Sequence, residues 1–158
     1  MHVARLALTA RSTALAALLA AGCGSPSGVG TPEQSPSISV TLASEFQLRP
    51  GQSAQLDGPS VRLTFVKVLE DSRCPIDAVC VWAGNAQIQL RARSRQAEAD
   101  LDLNTLGDGP TRPRFADFEG YRIHLVALVN PNRASAQHAP EPSEYVATLR
   151  VEALPPSS

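Results

Sequence analysis

The chain has 158 residues, of which 43% are hydrophobic, 18% charged and 4% aromatic. It can therefore bury the core of one small domain, but it is too short for a multidomain enzyme. Its 14 basic and 15 acidic side chains nearly cancel, which argues against a nucleic-acid binder held by phosphate electrostatics.

The first 22 residues have the organisation of an export signal. Arg5 and Arg11 give a positively charged start, and a run of small and apolar residues follows from position 12 to position 21. This run is too short to span the hydrocarbon core of a bilayer, so a transmembrane helix is the weaker interpretation. We predict a signal peptide over residues 1–22.

The end of this segment resembles the lipobox of bacterial lipoproteins. The motif is Ala20-Ala21-Gly22-Cys23, with Ala20 in place of the usual leucine. The resemblance implies that Cys23 carries lipid and anchors the protein in a membrane. Lipoproteins that stay in the inner membrane typically have an aspartate directly after the lipidated cysteine, whereas this chain has Gly24. The resemblance therefore favours an outer-membrane lipoprotein that faces the periplasm. Ordinary secretion with a free Cys23 is the alternative.

A flexible tether is predicted between the anchor and the folded domain. Ten of the fourteen residues from 24 to 37 are Gly, Pro or Ser, a composition that buries too little apolar surface to fold. The predicted organisation is a signal peptide (1–22), the lipidated cysteine and tether (23–37), a β-domain (38–154) and a short tail (155–158).

From residue 38 to residue 154, apolar residues recur at every second position, which is the period of a half-buried β-strand. Turn residues interrupt the runs at short intervals, and no run carries a helical stripe of useful length. In chain order, strands are predicted at 38–42, near 56, and at 61–70, 81–94, 97–105, 115–118, 121–129 and 145–153. This pattern favours an all-β fold, an antiparallel β-sandwich of immunoglobulin-like type, with a small β-barrel as the alternative.

The strands predicted at 81–94 and 97–105 should form a hairpin with a fixed register. Apolar residues must face apolar residues, which pairs Ala92 with Ala99 and Leu90 with Leu101. Since Arg95-Gln96 lacks the residues of a tight two-residue turn, we expect a four-residue loop. The same register places one polar row opposite another: Arg93 opposite Glu98, Arg91 opposite Asp100 and Gln89 opposite Asp102. Glu98, Asp100 and Asp102 form an acidic row that could suggest a calcium site. In this register the facing arginine and glutamine side chains pair with the row, so no calcium ion is needed to explain it.

Cys74 and Cys80 are the two cysteines that remain, and an exported chain meets oxidising conditions. They flank five residues in a connection between two predicted strands, whereas redox-active pairs usually flank two residues at a helix N-terminus. We therefore predict a structural disulfide rather than a redox site. Trp82 follows closely and is expected to be a core ring packed on the disulfide.

The stretches Asp71-Ser-Arg-Cys-Pro75 and Cys80-Val-Trp-Ala-Gly84 resemble a motif of uncharacterised small secreted or lipid-anchored bacterial β-proteins. The resemblance implies no reaction and no ligand. Within the motif, Asp71 and Arg73 are the best polar candidates for a recognition surface. The alternative is a local role, in which Asp71 caps a turn and Arg73 stacks on Trp82.

Motifs that carry chemistry are scarce. The two histidines outside the signal, His124 and His138, lack the spacing of a metal site, and no nucleophile elbow, Walker or dinucleotide-binding pattern occurs. We therefore expect no cofactor, no metal and no enzymatic activity. A hydrolase on a β scaffold is an alternative if folding gathers Asp71, Asp77, His124 and a serine into one cleft.

These observations favour a lipid-anchored, non-enzymatic protein of the cell envelope that serves as a binding or accessory module. Its expected partners are the membrane, through the lipid anchor, and an envelope protein as a candidate; nucleic acid is not expected. A periplasmic inhibitor or assembly factor of an envelope enzyme is the alternative. That alternative is favoured if the loop closed by the disulfide projects as a rigid, exposed prong.

Overall fold

The computed structural model describes residues 37–56, 61–107 and 109–155, so the predicted signal peptide, Cys23 and most of the tether lie outside the described residues. Within these ranges the chain forms nine β-strands and one short 3-10 helix, η1, at Pro142–Glu144. The strands are β1 Ser37–Val40, β2 Glu45–Leu48, β3 Ser53–Leu56, β4 Arg62–Asp71, β5 Ala86–Arg93, β6 Glu98–Asn104, β7 Phe115–Phe118, β8 Tyr121–Leu128 and β9 Ala147–Ala153. All of them except β2 correspond to strands predicted from the sequence.

Two open sheets pack face to face and form the predicted β-sandwich. One sheet has the strand order β1-β3-β4-β5-β6, the other has the order β2-β9-β8-β7, and neither closes into a barrel within the described residues. Every strand pair is antiparallel except the parallel pair β1–β3. The central strand β4 carries two register shifts against β5, which are the irregularities that a β-bulge produces.

The core lies between the sheets because alternate residues of each strand point to the same side. Strand β5 shows this most clearly, since its buried residues alternate with more exposed polar ones. Fully buried side chains come from both sheets: Leu63, Phe65, Ile88 and Leu90 from one, and Ile123, Leu149 and Val151 from the other. Each such side chain contributes about 1.5–3 kcal/mol when it is removed from water, so this shared layer holds the sheets together.

The predicted hairpin register between β5 and β6 is confirmed. The pairs are Arg93 with Glu98, Ala92 with Ala99, Arg91 with Asp100, Leu90 with Leu101 and Gln89 with Asp102, across a four-residue loop at 94–97. The Arg91 guanidinium donates to both carboxylate oxygens of Asp100, at 2.8 and 3.1 Å. Its hydrogen bonds lower the pKa of Asp100. Side chains of β5 therefore pair with the acidic row of β6, as expected.

The structure corrects the expected position of Trp82. This residue is 77% exposed and does not pack in the core on the disulfide. The reason is that β5 begins at Ala86 rather than at Val81. Gly84 adopts a φ of 66°, a left-handed conformation that interrupts the extended chain and, with it, the alternation of sides.

Candidate functional site

The connection from β4 to β5, residues 72–85, is closed by a disulfide, and we call it the disulfide loop. The bond joins Cys74 to Cys80, which confirms the predicted pairing. Four large apolar side chains of this loop are exposed: Ile76, Val79, Val81 and Trp82. Most large apolar side chains of the described residues lie in the core, so these four make the disulfide loop an unusually apolar part of the surface.

The two ends of the disulfide loop are fastened to each other. The Ser72 N–H donates to the Asn85 carbonyl oxygen at 2.7 Å, and the Asn85 N–H donates to the Ser72 hydroxyl at 3.1 Å. Gly84 approaches so closely that a β-carbon on it would overlap the Ser72 carbonyl oxygen and lie 2.8 Å from the Arg73 Cα. The base of the loop therefore requires a glycine at this position.

Asn85 is buried and links the disulfide loop to the end of β6. Its amide nitrogen donates to the Asn104 side-chain oxygen at 2.8 Å. Its amide oxygen accepts from the Leu106 N–H at 3.0 Å and from the Thr105 hydroxyl at 3.3 Å. Because both ends of this buried amide are hydrogen-bonded, the network fixes one orientation of the loop base.

Asp71 and Arg73 form a two-pronged ion pair at the foot of the disulfide loop. Arg73 Nε donates to Asp71 Oδ1 at 2.8 Å and Nη2 donates to Oδ2 at 2.7 Å, with side-chain exposures of only 12% and 5%. The same guanidinium donates to the carbonyl oxygens of Leu128, at 2.7 Å, and Val129, at 3.1 Å. Arg73 therefore ties the loop to the end of β8 in the other sheet.

This geometry gives Asp71 and Arg73 the local role that the sequence offered as the alternative to recognition. Asp71 Oδ1 also accepts the Arg73 main-chain N–H at 3.1 Å, which is the expected turn cap. Among the described residues, a cation–π contact joins Arg122 to Phe115 and none joins Arg73 to Trp82; the Arg73 guanidinium is bonded instead to Asp71 and to two carbonyl oxygens. Burial alone would raise the pKa of Asp71, but the hydrogen bonds and charge of Arg73, together with Asn132, hold it below its usual range.

The segment between β8 and β9 supports the disulfide loop from the side. Asn130 donates its amide N–H to the Cys74 carbonyl oxygen at 2.8 Å, and the Ile76 N–H donates to the Asn132 carbonyl oxygen at 3.0 Å. The Asn132 amide also donates to Asp71 Oδ2 at 2.7 Å. Two asparagines thus connect the closed ring to the ion pair at its foot.

Asp77 lies inside the disulfide-closed ring, and its carboxylate is turned towards the same supporting segment. It accepts hydrogen bonds from the Ser135 hydroxyl and from the Ala134 N–H, both at 2.6 Å. These bonds lower the pKa of Asp77 to about 2. The carboxylate is therefore ionised at neutral pH, and its hydrogen bonds fasten the ring to the segment between β8 and β9.

The groups considered for a hydrolase lie in separate sets of contacts. Asp71 pairs with Arg73, and Asp77 pairs with Ser135. His124 lies on β8 with its Nε2 3.5 Å from a carboxylate oxygen of Glu152. Among the described residues, no hydrogen bond or ion pair joins the histidine to either aspartate, so the Ser135–Asp77 pair has no adjacent histidine base there.

The other polar candidates also have local partners. His138 is exposed, and its ring lies 3.2 Å from the Ala139 carbonyl oxygen. Within the part of the chain that the structure describes, no group of three or more His, Cys, Asp or Glu side chains is arranged to hold a metal ion.

An open groove of about 500 Å³ lies beside the foot of the disulfide loop. Its lining is mainly apolar and includes Val66, Leu69, Pro140 and Tyr145, and Asp71 is among its polar residues. Burial, followed by the negative charge of Asp71, raises the pKa of the Tyr145 hydroxyl. The groove follows residues 66–71 of β4, and none of the four exposed apolar side chains of the disulfide loop lines it.

We expect the double variant Cys74→Ser/Cys80→Ser to lose about 2 kcal/mol of unfolding free energy, because opening a small ring restores chain entropy to the unfolded state. Urea unfolding measures this loss. Mass analysis of the wild-type protein should find both thiols protected from alkylation until a reductant is added. Alkylated thiols together with unchanged stability would contradict the assignment of a structural bridge.

The comparisons add no relative: no family model, no curated protein and no solved structure matches the chain.

The disulfide indicates an oxidising compartment outside the cytoplasm. Among the described residues, no helix has the length and apolar character needed to cross a membrane.

Proposed function

We propose that the protein is a lipid-anchored, non-enzymatic module of the cell envelope that docks onto an envelope protein through the disulfide loop. The observation that carries this proposal is that exposed apolar side chains stand on a loop whose two ends and whose disulfide-closed ring are bonded to the domain. This is the rigid, exposed prong expected of an inhibitor or assembly factor, and it favours that role over a passive accessory one.

The fixed backbone lowers the cost of association. A flexible loop loses conformational entropy when it binds, whereas a loop ordered at folding has already lost it. Here the disulfide, the Asn85 network and the Arg73 bridge each restrain the loop from a different side. Trp82 adds a large, exposed ring of the type that dominates binding energy at protein interfaces.

The direction of the polar groups supports binding rather than catalysis. Asp71, Arg73 and Asp77 are all hydrogen-bonded to other groups of the domain, at distances between 2.6 and 3.2 Å. A catalytic group needs an open side towards its substrate, whereas these three are engaged by groups of the domain, and Asp71 and Arg73 are also largely buried. The outward surface of the loop is left to apolar side chains.

We expect Trp82→Ala to reduce capture of the partner from envelope extract by about tenfold, the effect of losing one interfacial hot spot. Because Trp82 is exposed, the stability of the domain should stay within about 0.5 kcal/mol of the wild type. The measurement is quantitative mass spectrometry of proteins retained by the full-length chain. Ile38→Ala, at an exposed apolar residue of β1, is the matched control and should retain the partner. Equal retention by Trp82→Ala would overturn docking through the loop.

We expect Cys23→Ala to move the protein from the membrane fraction to the soluble fraction. The proposed anchor rests on Cys23, at the end of the lipobox-like motif, and several acyl chains on one residue give a stable attachment where a single chain does not. Fractionation of cells that express each form measures the shift. Retention of the variant in the membrane fraction would contradict the lipid anchor.

A further inference from the structure

The backbone of the disulfide loop indicates which kind of protein it fits. Within the part of the chain that the structure describes, residues 79–83 make no main-chain hydrogen bond, through either N–H or C=O. All five of these residues are exposed. The loop therefore presents a run of open main-chain donors and acceptors between apolar side chains.

This run also lacks charge. Residues 78–84 read Ala-Val-Cys-Val-Trp-Ala-Gly, and the nearest carboxylate, that of Asp77, is bonded to Ala134 and Ser135. The side chains of Val79, Val81 and Trp82 are the exposed apolar groups of the run. In chemical terms, the outer part of the loop is an uncharged apolar peptide that is fastened to the domain at Cys80 by the disulfide and at its end by Asn85.

The open main chain distinguishes between partners. Burying these groups in the hydrocarbon of a bilayer, or against a purely apolar surface, would leave N–H and C=O groups without partners, at a free-energy cost for each. A peptide-binding cleft supplies main-chain hydrogen bonds together with pockets for side chains. Such a cleft satisfies both features of the loop at once.

We propose that the disulfide loop is a peptide mimic, and that it occupies the polypeptide-binding cleft of an envelope protein whose own substrates are polypeptide chains. This inference rests on the proposed function, because it specifies the partner that docks on the same loop. The main-chain groups of residues 79–83 pair with the cleft, and the side chains of Val79, Val81 and Trp82 fill its pockets. Occupation by the loop excludes a substrate chain from the cleft.

Photo-crosslinking in envelope membranes tests this inference with the full-length protein. A benzoylphenylalanine in place of Val79 puts the reactive group on a fully exposed residue, so folding is preserved. The same group in place of Ile38 is the control. Irradiation is carried out with and without excess reduced, carboxymethylated lactalbumin, an unfolded polypeptide, and separately with native lactalbumin.

The expected result is a protein adduct at position 79 and none at position 38. The unfolded competitor should reduce that adduct by about tenfold, as expected when two ligands share one cleft, and native lactalbumin should not. An adduct that persists with the unfolded competitor, or that falls equally with both competitors, would overturn the peptide mimic and leave docking in place. No adduct at position 79, or an adduct with lipid alone, would overturn docking as well.

Discussion

Replacing Arg73 by Ala should lower the free energy of unfolding by about 3–5 kcal/mol, which is the usual loss when one partner of a buried ion pair is removed and the other charge stays buried. The Asp71 side chain is 5% exposed and would lose its charged partner. The carbonyl oxygens of Leu128 and Val129 would lose their donors as well. Arg73→Lys is the matched variant: it keeps the charge but cannot reproduce the planar fork, so we expect an intermediate loss. Urea unfolding at neutral pH measures both variants.

The pH dependence of Arg73→Ala separates this cause from a general loss of packing. In the wild type the pKa of Asp71 is below its usual value of 3.8, so its stabilising contribution is present at neutral pH and is lost as the pH falls below that value. In the variant, Asp71 keeps its hydrogen bonds to Asn132 and to the main-chain N–H of residue 73 but loses the side-chain bonds and charge of Arg73, so its pKa is higher than in the wild type. Lowering the pH therefore costs the variant less stability than it costs the wild type. The stability gap between the two proteins should therefore narrow towards acid. A gap that stays constant over this range would show that the unpaired carboxylate is not its source.

The strands could be predicted from the sequence because their signal is local. Alternation at period two needs only neighbouring residues, and it also set the register of β5 against β6. Strand β2 is no shorter than β1, β3 or β7, but it was missed because no Gly, Pro, Asn or Asp separates it from β1 and marks where it begins. The turn before it depends on a positive φ at Ala43, a residue type that gives no sign of that conformation.

The disulfide could also be predicted, but its surroundings could not. Arg73 meets Leu128 across 55 positions of sequence, and Asn130 meets Cys74 across 56, so neither contact has a local pattern. Polar residues in loops look alike in a sequence whether they face water or support a neighbouring segment. Trp82 was assigned to the core because it is aromatic and because the apolar alternation of residues 86–92 was extended back to it. The left-handed conformation of Gly84 interrupts that alternation. The exposed loop became evident only once the supporting contacts were known.

Gly84→Ala should destabilise the domain by about 2–4 kcal/mol, which combines the strain of a left-handed conformation with the steric cost of an added methyl group. The new β-carbon would overlap the Ser72 carbonyl oxygen. Ser72 also donates its N–H to the Asn85 carbonyl oxygen, and this hydrogen bond closes the base of the disulfide loop. Relief of the overlap requires the two ends of the loop to separate. Partner capture should therefore fall together with stability, and hydrogen exchange at the Ser72 amide should become faster.

Gly51→Ala is the control that separates conformation from contact. Gly51 also has a positive φ, of 84°, but a β-carbon there would meet nothing within 4 Å. Its expected loss is therefore the conformational part alone, about 1–2 kcal/mol. The difference in unfolding free energy between the two alanine variants measures the close approach of Gly84 to Ser72. If the two losses were equal and partner capture by Gly84→Ala were unchanged, the base of the disulfide loop would not be the element that holds its exposed side chains in position.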